Sequence, residues 1–356
     1  MMLEARTDSY VHSTRTGKKY IGKIDVLRSN EDIDDLTFVL HNGFWLKQRW
    51  VEPTETFNEL LKQRCEQIRE TYDYVILYYS GGSDSDTMLR SFINNNIHVD
   101  EIVINRISFN KFDAPLKDIE LAVHKLRGYA KDIPNTRMTV NNITEDILYN
   151  FSKKQNWVDT AYNGTIGNLR RFNTHLLAEL DIPMLGKGNV GHILGDMKPV
   201  IEQKSDGYYV KLSGFGLAQW SDWFYTSPNL PKLHMKQCYM VKNYFKENNI
   251  GVKVIGSLGI TEHNLNIRNH LAEACRYKFD DRWQPPKMQG LGLDIINNQD
   301  TEDSLVYKHM KKYAPKVFDA YMYGTVIPIV TASNKNLLGK NKDIQKIKTA
   351  EINIGT

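Results

Sequence analysis

Two patterns of hydrophobic residues alternate along the first half of the chain: continuous apolar runs, and apolar residues at helical spacing. The segments "YVILYY" (residues 74–79) and "VDEIVINRISF" (residues 99–109) are nearly continuous apolar runs rich in β-branched and aromatic residues, typical of strands buried on both faces. Apolar residues recur at helical spacing over residues 54–72, with Thr54 as the predicted N-cap, over about 85–94, and from near Pro115. Strands that alternate with helices predict a parallel α/β sheet.

The alternation continues to about residue 213. A third strand is predicted in "TRMTVNNI", and a fourth strand with its functional loop in "DIPMLGKGNVGHILGDMKP", with the helical segment "NLRRFNTHLLAEL" between them. The segment "PVIEQKSDGYYVKLSG" predicts a β-hairpin that turns at Ser205, Asp206 and Gly207. We interpret this hairpin as the exit from the α/β core.

The flanks differ from this core in character. Residues 1–53 contain the short strand patterns "YIGKIDVLR" and "LTFVLHNGFWLK" and predict a small β-rich appendage. Residues 54–213 form the predicted α/β domain, and residues 214–330 combine aromatic loops with helical patterns, which predicts a mostly helical substrate domain. Residues 331–356 are interpreted as a polar, lysine-rich tail.

Composition excludes several classes of protein. A hydrophobic fraction of 41% and a charged fraction of 25% describe a folded globular chain. The mean hydropathy is −0.48, and no apolar run approaches the roughly 20 residues that span a bilayer. The N-terminus lacks the apolar core of a secretory signal. We therefore expect a cytoplasmic protein with no membrane partner.

Cysteine content and charge narrow the possibilities further. Cys65, Cys238 and Cys275 lie far apart without a CxxC pair, which argues against a disulfide framework, a cysteine-based zinc site or sulfur-transfer chemistry. Their expected role is packing. A net charge of +4 allows contact with nucleic acid without requiring it.

The segment "SGGSDS" (residues 80–85), here called the glycine loop, lies between the first predicted strand and its helix. Adjacent glycines let successive backbone N–H groups converge on one anion, and a helix N-terminus adds its dipole. Hydroxyl donors come from Ser80, Ser83 and Ser85. Asp84 would repel a bare phosphate, so its presence implies Mg²⁺ between carboxylate and nucleotide.

The glycine loop lacks the GxxxxGK[ST] pattern of the common P-loop. It matches SGGxDS at Ser80, Gly81, Gly82, Asp84 and Ser85, and here the sequence resembles the PP-loop ATP pyrophosphatase superfamily over residues 75–199. The nearest members are of the asparagine synthetase and 7-deazaguanine synthase types. The alternative is an ordinary glycine turn with a capping box formed by Ser83 and Asp86.

The resemblance implies a Rossmann-like fold with ATP and Mg²⁺ as cofactors. The loop would hold the β,γ-pyrophosphate of ATP through residues 80–85, with Asp84 as catalytic and metal-binding residue, while a substrate oxygen attacks the α-phosphorus. A nucleophile would then displace AMP. At the end of the second strand, Asn105, Arg106 and Ile107 would contact adenine and ribose; the alternative is ordinary strand-end polarity.

The segment "GKGNVG" (residues 186–191) matches GxGxxG, but Pro199 follows too soon for a crossover helix, so a dinucleotide site is not favoured. Placed after the predicted fourth strand, it resembles the glycine-rich segment with which asparagine synthetase-like members close over the nucleotide. Gly186 and Gly188 would then bind the cofactor and Lys187 would neutralise pyrophosphate. The family has acidic residues after these glycines, which this chain lacks, and a plain turn is the alternative.

Three further pairs of residues are weaker candidates. Asp196 and Lys198 could contact metal and phosphate, and Arg170 and Arg171 could bind an anion. His234 and Cys238 share a helix face at i,i+4 spacing, but a metal site needs more ligands, so a structural role is favoured.

These observations favour an ATP-dependent, AMP-forming ligase or amidating enzyme. ATP would adenylate a carboxylate, amide or ring carbonyl, and an amine would replace AMP. The chain has no cysteine before Cys65, so no glutaminase nucleophile follows the first methionine, and ammonia would come from solution, a partner or the substrate.

Two alternatives stay open. The first is an enzyme that modifies a nucleobase in RNA or DNA, using the lysines of residues 335–348 for phosphate and aromatic residues for stacking. Those aromatic residues are Trp220, Trp223, Phe224 and Tyr225; a place in the core of the second domain is their alternative role. The second is a non-catalytic ATP sensor. The acceptor is unidentified, and a homo-oligomer is possible.

Overall fold

The computed structural model describes residues 10–20, 35–39, 45, 47–107, 117–143, 189–195, 199, 201–211, 222–249, 254–255, 312, 315 and 351–356. Among these residues the helices are α1 (Phe57–Thr71), α2 (Ser83–Asn94), α3 (Lys117–Gly128) and α4 (Pro231–Glu247). None of the described helices is long and apolar enough to cross a membrane.

Twelve strands lie in the described part of the chain, in three sheets. The strands are β1 (Tyr10–Ser13), β2 (Lys19–Tyr20), β3 (Leu36–Val39), β4 (Tyr74–Tyr78), β5 (Glu101–Ile107), β6 (Arg137–Ile143), β7 (Val190–Leu194), β8 (Ile201–Lys204), β9 (Gly207–Lys211), β10 (Asp222–Trp223), β11 (Val254–Ile255) and β12 (Glu351–Asn353).

The central sheet has five parallel strands in the order β10-β7-β4-β5-β6. If these five strands are renumbered 1 to 5 in chain order, they lie in the order 5-4-1-2-3. The chain therefore starts at β4, adds β5 and β6 on one side, and then adds β7 and β10 on the other. This is the arrangement of a Rossmann-like, doubly wound sheet. The predicted parallel α/β fold is confirmed.

The largest core lies between one face of this sheet and the helices. Val75 and Leu77 of β4, and Tyr79 directly after it, pack there because alternate strand residues point to the same face. The helices contribute residues such as Leu60, Leu61, Cys65, Phe92, Ala122 and Leu126. Cys65 is fully buried, in agreement with its predicted packing role.

Two helix starts differ slightly from the predictions. The N-cap of α1 is Thr56 rather than Thr54, because Glu59 completes a capping box with Thr56. Helix α2 begins at Ser83, two residues earlier than predicted, with Gly82 as its N-cap. The whole second half of the glycine loop therefore belongs to the helix.

The other two sheets are antiparallel. Strands β2-β1-β3 form a three-stranded sheet in the predicted β-rich N-terminal segment, and β11-β8-β9-β12 form a four-stranded sheet. The β8–β9 hairpin turns as predicted, with Lys204 paired to Gly207. Strand β12 pairs with β9, so residues 351–353 form a strand where a polar tail was expected.

The hairpin does not end the α/β core. Strand β10 follows it in the chain and pairs in parallel with β7, with Asp222 opposite Ile193, so the expectation that the hairpin marks the exit was wrong. The physical reason is length: β10 has two residues, too few for a hydrophobic period to be visible. It also lies beyond residue 213, where the first domain was predicted to end.

Candidate functional site

The glycine loop lies at the carboxyl end of β4, the central strand of the parallel sheet. Strands β5 and β7 flank β4 on opposite sides, so the connections that leave β4 and β7 diverge at this point. In open α/β sheets, ligands bind in the crevice at the carboxyl ends of the strands where the strand order reverses. The loop predicted from sequence is therefore at the position where such a fold binds its ligand.

The two glycines of the loop differ in backbone conformation and in the space around their Cα atoms. Gly81 has φ of +71°, and a Cβ there would lie 2.8 Å from the Cα of Ala122 in α3, so neither the backbone nor the space permits a side chain. Gly82 has φ of −77°, and the nearest atom to its Cβ position is Ser80 Oγ at 3.4 Å. The fold itself thus requires glycine at 81, whereas position 82 could hold a Cβ.

Ser80 and Ser85 close the loop on itself. The Ser80 N–H donates to Ser85 Oγ at 3.2 Å, the two hydroxyls lie 3.1 Å apart, and Ser85 Oγ donates to the Gly82 carbonyl at 3.2 Å. Ser85 is only 4% exposed, while Ser80 is exposed and Ser83 half-buried. Ser85 therefore shapes the loop, and Ser80 and Ser83 are the hydroxyls that solvent can reach.

The N-terminus of α2 presents backbone donors at the same place. The Gly82 carbonyl accepts from the Asp86 N–H at 2.9 Å, and Gly82 has no side chain with which to cap the helix. The N–H groups of Ser83, Asp84 and Ser85 belong to the first turn, where helix geometry offers no intrahelical acceptor. Together with the helix dipole they suit an anion.

A buried polar cluster lies beneath the loop. Asp86 is 5% exposed and accepts from Tyr79 Oη at 2.6 Å and from Tyr129 Oη at 3.3 Å. Burial, followed by the nearby Asp86 carboxylate, raises the pKa of Tyr79, which keeps that hydroxyl a donor. The alternative interpretation as a capping box of Ser83 and Asp86 is therefore wrong, because Gly82 is the N-cap of α2 and the Asp86 carboxylate accepts from these tyrosines.

Two elements from later in the chain support Asp84 and Ser85. Tyr225, which follows β10, donates to the Asp84 carbonyl at 2.7 Å. Gly195, which follows β7, is packed so closely that a Cβ would lie 3.1 Å from the Cα of Ser85 and 3.2 Å from the Asp84 carbonyl oxygen. Both contacts were missed by sequence reasoning; the glycine directly after a strand was the available signal.

The aromatic residues after β10 belong to the core. Phe224 and Tyr225 are almost fully buried, and Phe224 packs on Phe92 of α2. Arg64 of α1 forms a buried ion pair with Asp222, N to O 2.6 Å, and donates to the carbonyls of Trp223 and Phe224. This pair fixes the strand whose continuation carries Tyr225.

The donor chemistry at the loop fits Mg²⁺. Asp84 provides a half-buried carboxylate beside the N-terminus of α2, and Mg²⁺ is commonly held by one or two carboxylates together with ligand phosphates and water. Among the described residues, no three His, Cys, Asp or Glu side chains are grouped as metal ligands.

The ends of β5 and β6 place two asparagines side by side. Asn141 Nδ2 donates to Asn105 Oδ1 at 3.3 Å. Asn105 lies two residues beyond Val103, whose carbonyl accepts from the Tyr79 N–H, so Asn105 is level with the glycine loop. The backbone of Arg106 and Ile107 continues β5, and their side chains lie outside the described residues. Asn141 was not predicted.

The glycine-rich segment does not follow the fourth strand of the sheet. Strand β7 begins at Val190, and the Asn189 carbonyl accepts from the Asp73 N–H at the amino end of β4, on the opposite edge from the glycine loop. The predicted order was wrong because β7, the strand that enters the sheet fourth, begins inside this segment and continues through the apolar residues after it. Residues outside the description include Gly186, Lys187, Gly188, Asp196, Lys198, Arg170 and Arg171.

His234 and Cys238 lie in a second core, away from the loop. His234 Nε2 is 3.7 Å from Cys238 Sγ, and the rings of Trp45 and Trp50 meet the imidazole edge-on. Both residues are buried among apolar neighbours. The structural interpretation of this pair agrees with the structure.

Comparisons with known proteins identify no family. No family model matches the chain, and no curated protein matches it. Among solved structures, an NH₃-dependent NAD synthetase from Campylobacter jejuni, in complex with the nitrate ion, shows 15% identity over 74% of this chain and 96% of its own, with a TM-score of 0.31. At this identity and TM-score the likeness assigns neither family nor function.

Proposed function

We propose that the protein is an ATP pyrophosphatase of the PP-loop type. It would cleave ATP between the α- and β-phosphates, adenylate an oxygen of an unidentified acceptor, and allow an amine to displace AMP. The observation that carries the proposal is the conformation of the glycine loop: Gly81 in the left-handed region at the carboxyl end of β4, followed at once by the N-terminus of α2.

The loop suits an anion such as pyrophosphate better than an apolar ligand. The backbone N–H groups of residues 82–85 and the exposed hydroxyl of Ser80 can donate hydrogen bonds to the anion. The loop itself contains no lysine. Tyr225 and Gly195 hold the Asp84 backbone in place. Donors fixed before the reaction stabilise charge that develops on the leaving pyrophosphate without further rearrangement.

In this proposal Asp84 holds the magnesium ion of the nucleotide. The metal would neutralise phosphate charge. The chain's own part is to orient the pyrophosphate against α2 and to keep the loop from relaxing, through the hydrogen bonds of Ser85 and the packing of Gly81 on Ala122. Asn105 and Asn141, level with the loop, are the proposed contacts for the nucleoside part.

The first test is the position of ATP cleavage. ATP labelled at the α-phosphate would be incubated with the protein, Mg²⁺ and pooled small-molecule and nucleic-acid extracts, and AMP separated from ADP. We expect AMP and pyrophosphate, after which fractionation of the pool identifies the acceptor. Formation of ADP would overturn the proposal, and ATP binding without any product would favour a sensor.

The second test is Asp84→Asn, which keeps the shape of the side chain and removes its charge. We expect AMP formation to fall by at least roughly 100-fold, as when a group that stabilises transition-state charge is lost, while the thermal midpoint is unchanged. Asp73→Asn is the matched control because Asp73 is exposed at the opposite edge of the sheet. Undiminished AMP formation by Asp84→Asn would contradict the assigned role.

Nucleobase modification receives less support from the structure than ligation of a small acceptor. Phe224 and Tyr225 are buried and so offer no face for base stacking, and Trp223 is half-buried. Phosphate contacts by the lysines of residues 335–348 stay a prediction.

A further inference from the structure

A lysine lies buried directly beneath the glycine loop. Lys125 of α3 is 7% exposed, and its Nζ donates to the carbonyl oxygen of Gly81 at 3.2 Å. Lysine is almost never this buried in folded proteins unless its charge is compensated. Burial lowers the pKa of Lys125, and the nearby carboxylate of Asp86 opposes that shift, so the site retains a partner for the ammonium group.

The same face of α3 makes both contacts with Gly81. Ala122 lies against the Gly81 Cα, where a Cβ would be only 2.8 Å away, and Lys125 reaches the Gly81 carbonyl. Residues three apart share one side of a helix. Helix α3 therefore fixes the position of Gly81 through Ala122, and fixes the orientation of the Gly81 carbonyl through the ammonium group of Lys125.

The orientation of this carbonyl determines the orientation of the next N–H. In a trans peptide, the C=O of one residue and the N–H of the next point in opposite directions, and all peptide bonds described here are trans. With the Gly81 carbonyl held toward α3, the Gly82 N–H faces away from it. Its hydrogen bond to Ser80 Oγ is 3.4 Å long, near the upper limit for such a bond, and a stronger acceptor can replace it.

We propose that Lys125 is a positioning residue for anion binding: it locks the Gly81–Gly82 peptide with its N–H toward the ligand and places a positive charge beneath a loop that has no lysine of its own. This rests on the proposed function for the identity of the anion, the pyrophosphate of a nucleotide. It adds a residue 44 positions beyond Gly81, which acts through the backbone of the loop.

The test measures binding of inorganic pyrophosphate with Mg²⁺ by calorimetry, with adenosine binding and the thermal midpoint as parallel readouts. Lys125→Met removes charge and donor at similar length. We expect pyrophosphate affinity to fall roughly 10- to 100-fold, the range for a lost hydrogen bond to a charged group, with adenosine affinity nearly unchanged. Arg127→Met, on the same helix but exposed, should stay within about twofold.

Two further variants separate charge from donor and cover the case in which Lys125→Met does not fold. Lys125→Arg keeps both and should bind pyrophosphate close to the wild-type level; Lys125→Gln keeps a donor without charge and should bind more weakly. Equal pyrophosphate affinity in the Arg and Gln variants, or parallel losses of pyrophosphate affinity, adenosine affinity and thermal midpoint, would overturn the inference.

The outcomes are distinguishable from those for the proposed function. If the wild-type protein forms AMP and a folded Lys125→Met variant binds pyrophosphate as tightly as the wild type, only the role of Lys125 is overturned. Wild-type protein that forms ADP would overturn the proposed function, while a selective loss of pyrophosphate binding in Lys125→Met would still support the positioning role.

Discussion

Two regions of this molecule bury ionisable side chains, and the groups that these side chains contact differ. Beneath the glycine loop, Asp86 and Lys125 are buried and contact Tyr79, Tyr129 and the Gly81 carbonyl. Their partners are the loop itself and the strand and helix beside it. The loop above them is left with half-exposed residues and first-turn N–H groups.

The second region is the core between α4 and the β11-β8-β9-β12 sheet. There Lys242 donates to the Ile354 carbonyl at 2.7 Å, and His234 lies against Trp45, Trp50 and Cys238. These groups tie the last residues of the chain to a helix and fill an apolar core. Burial of ionisable groups alone therefore does not mark a site. The first region differs because it lies beneath the first turn of α2, at the carboxyl end of β4.

The largest expected effect comes from Gly81→Ala in the first region. A side chain there meets the backbone of Ala122 and requires a left-handed φ, which costs alanine about 1–2 kcal/mol before any clash. We expect AMP formation to fall more than roughly 100-fold, because a displacement of about 1 Å suffices for such losses. The measurement is the rate of AMP release from labelled ATP.

Two matched glycines sharpen this result. Gly128→Ala, at the end of α3 with no atom within 4 Å of its Cβ position, should leave AMP release unchanged. Gly82→Ala should keep the thermal midpoint but weaken pyrophosphate binding, since its Cβ fits the fold and would face the ligand. Equal behaviour of Gly81→Ala and Gly128→Ala would contradict the argument.

The next effect, on stability, comes from the buried ion pair that supports the first region. Arg64→Met leaves Asp222 charged and buried, and breaking such a pair costs about 3–5 kcal/mol. Urea unfolding measures this loss. Because Arg64 also holds the strand that leads to Tyr225, AMP formation should decline as well.

The control for Arg64→Met is Lys62→Met on the same helix. Lys62 forms an exposed pair with Glu66 at 3.7 Å, and exposed pairs of this kind contribute at most about 0.5 kcal/mol. A similar loss of stability in both variants would mean that the buried pair has no special role.

The sequence predicted the strands and the loop but few of the supporting contacts. Strands β4 and β5 were recognisable because continuous apolar runs reflect burial on both faces. Strand β6 was recognisable as the next short strand in the alternation of strands and helices, and the glycine loop because its residue types carry their own chemistry. Strands β10 and β12 have two and three residues, so they show no period, and their place depends on pairing with distant partners.

The residues beneath the site were hidden for a related reason. Lys125 lies in a helix rich in charged residues, where a lysine is normally solvated, and only the approach of Gly81 to Ala122 reveals which face is inward. Gly195 lay in the segment that was interpreted as the fourth strand and its functional loop, without a role of its own. By contrast, the i,i+4 spacing of His234 and Cys238 was local information, and their predicted structural role agrees with the observed core.

The smallest effect concerns pH and belongs to the second region. Burial lowers the pKa of His234 to about 4, from an ordinary value of 6.5. Between these values the unfolded chain binds a proton that the folded protein does not, so stability is complete above about pH 6.5 and falls as the pH is lowered toward 4. A shift of this size corresponds to about 3 kcal/mol over the full range.

The pH effect is tested by measuring the free energy of unfolding in urea at two pH values. About pH 8 lies above the window in which the two states differ in bound protons, and about pH 5 lies inside it. His234→Gln should be less stable at the higher pH, because it leaves an amide in an apolar core, but should lose less stability on acidification than the wild type. His124→Gln, at an exposed position of α3, should follow the wild-type profile. If His234→Gln instead shows the same decline as the wild type, the acid sensitivity originates in other titratable groups, and the effect assigned to the burial of His234 would be wrong.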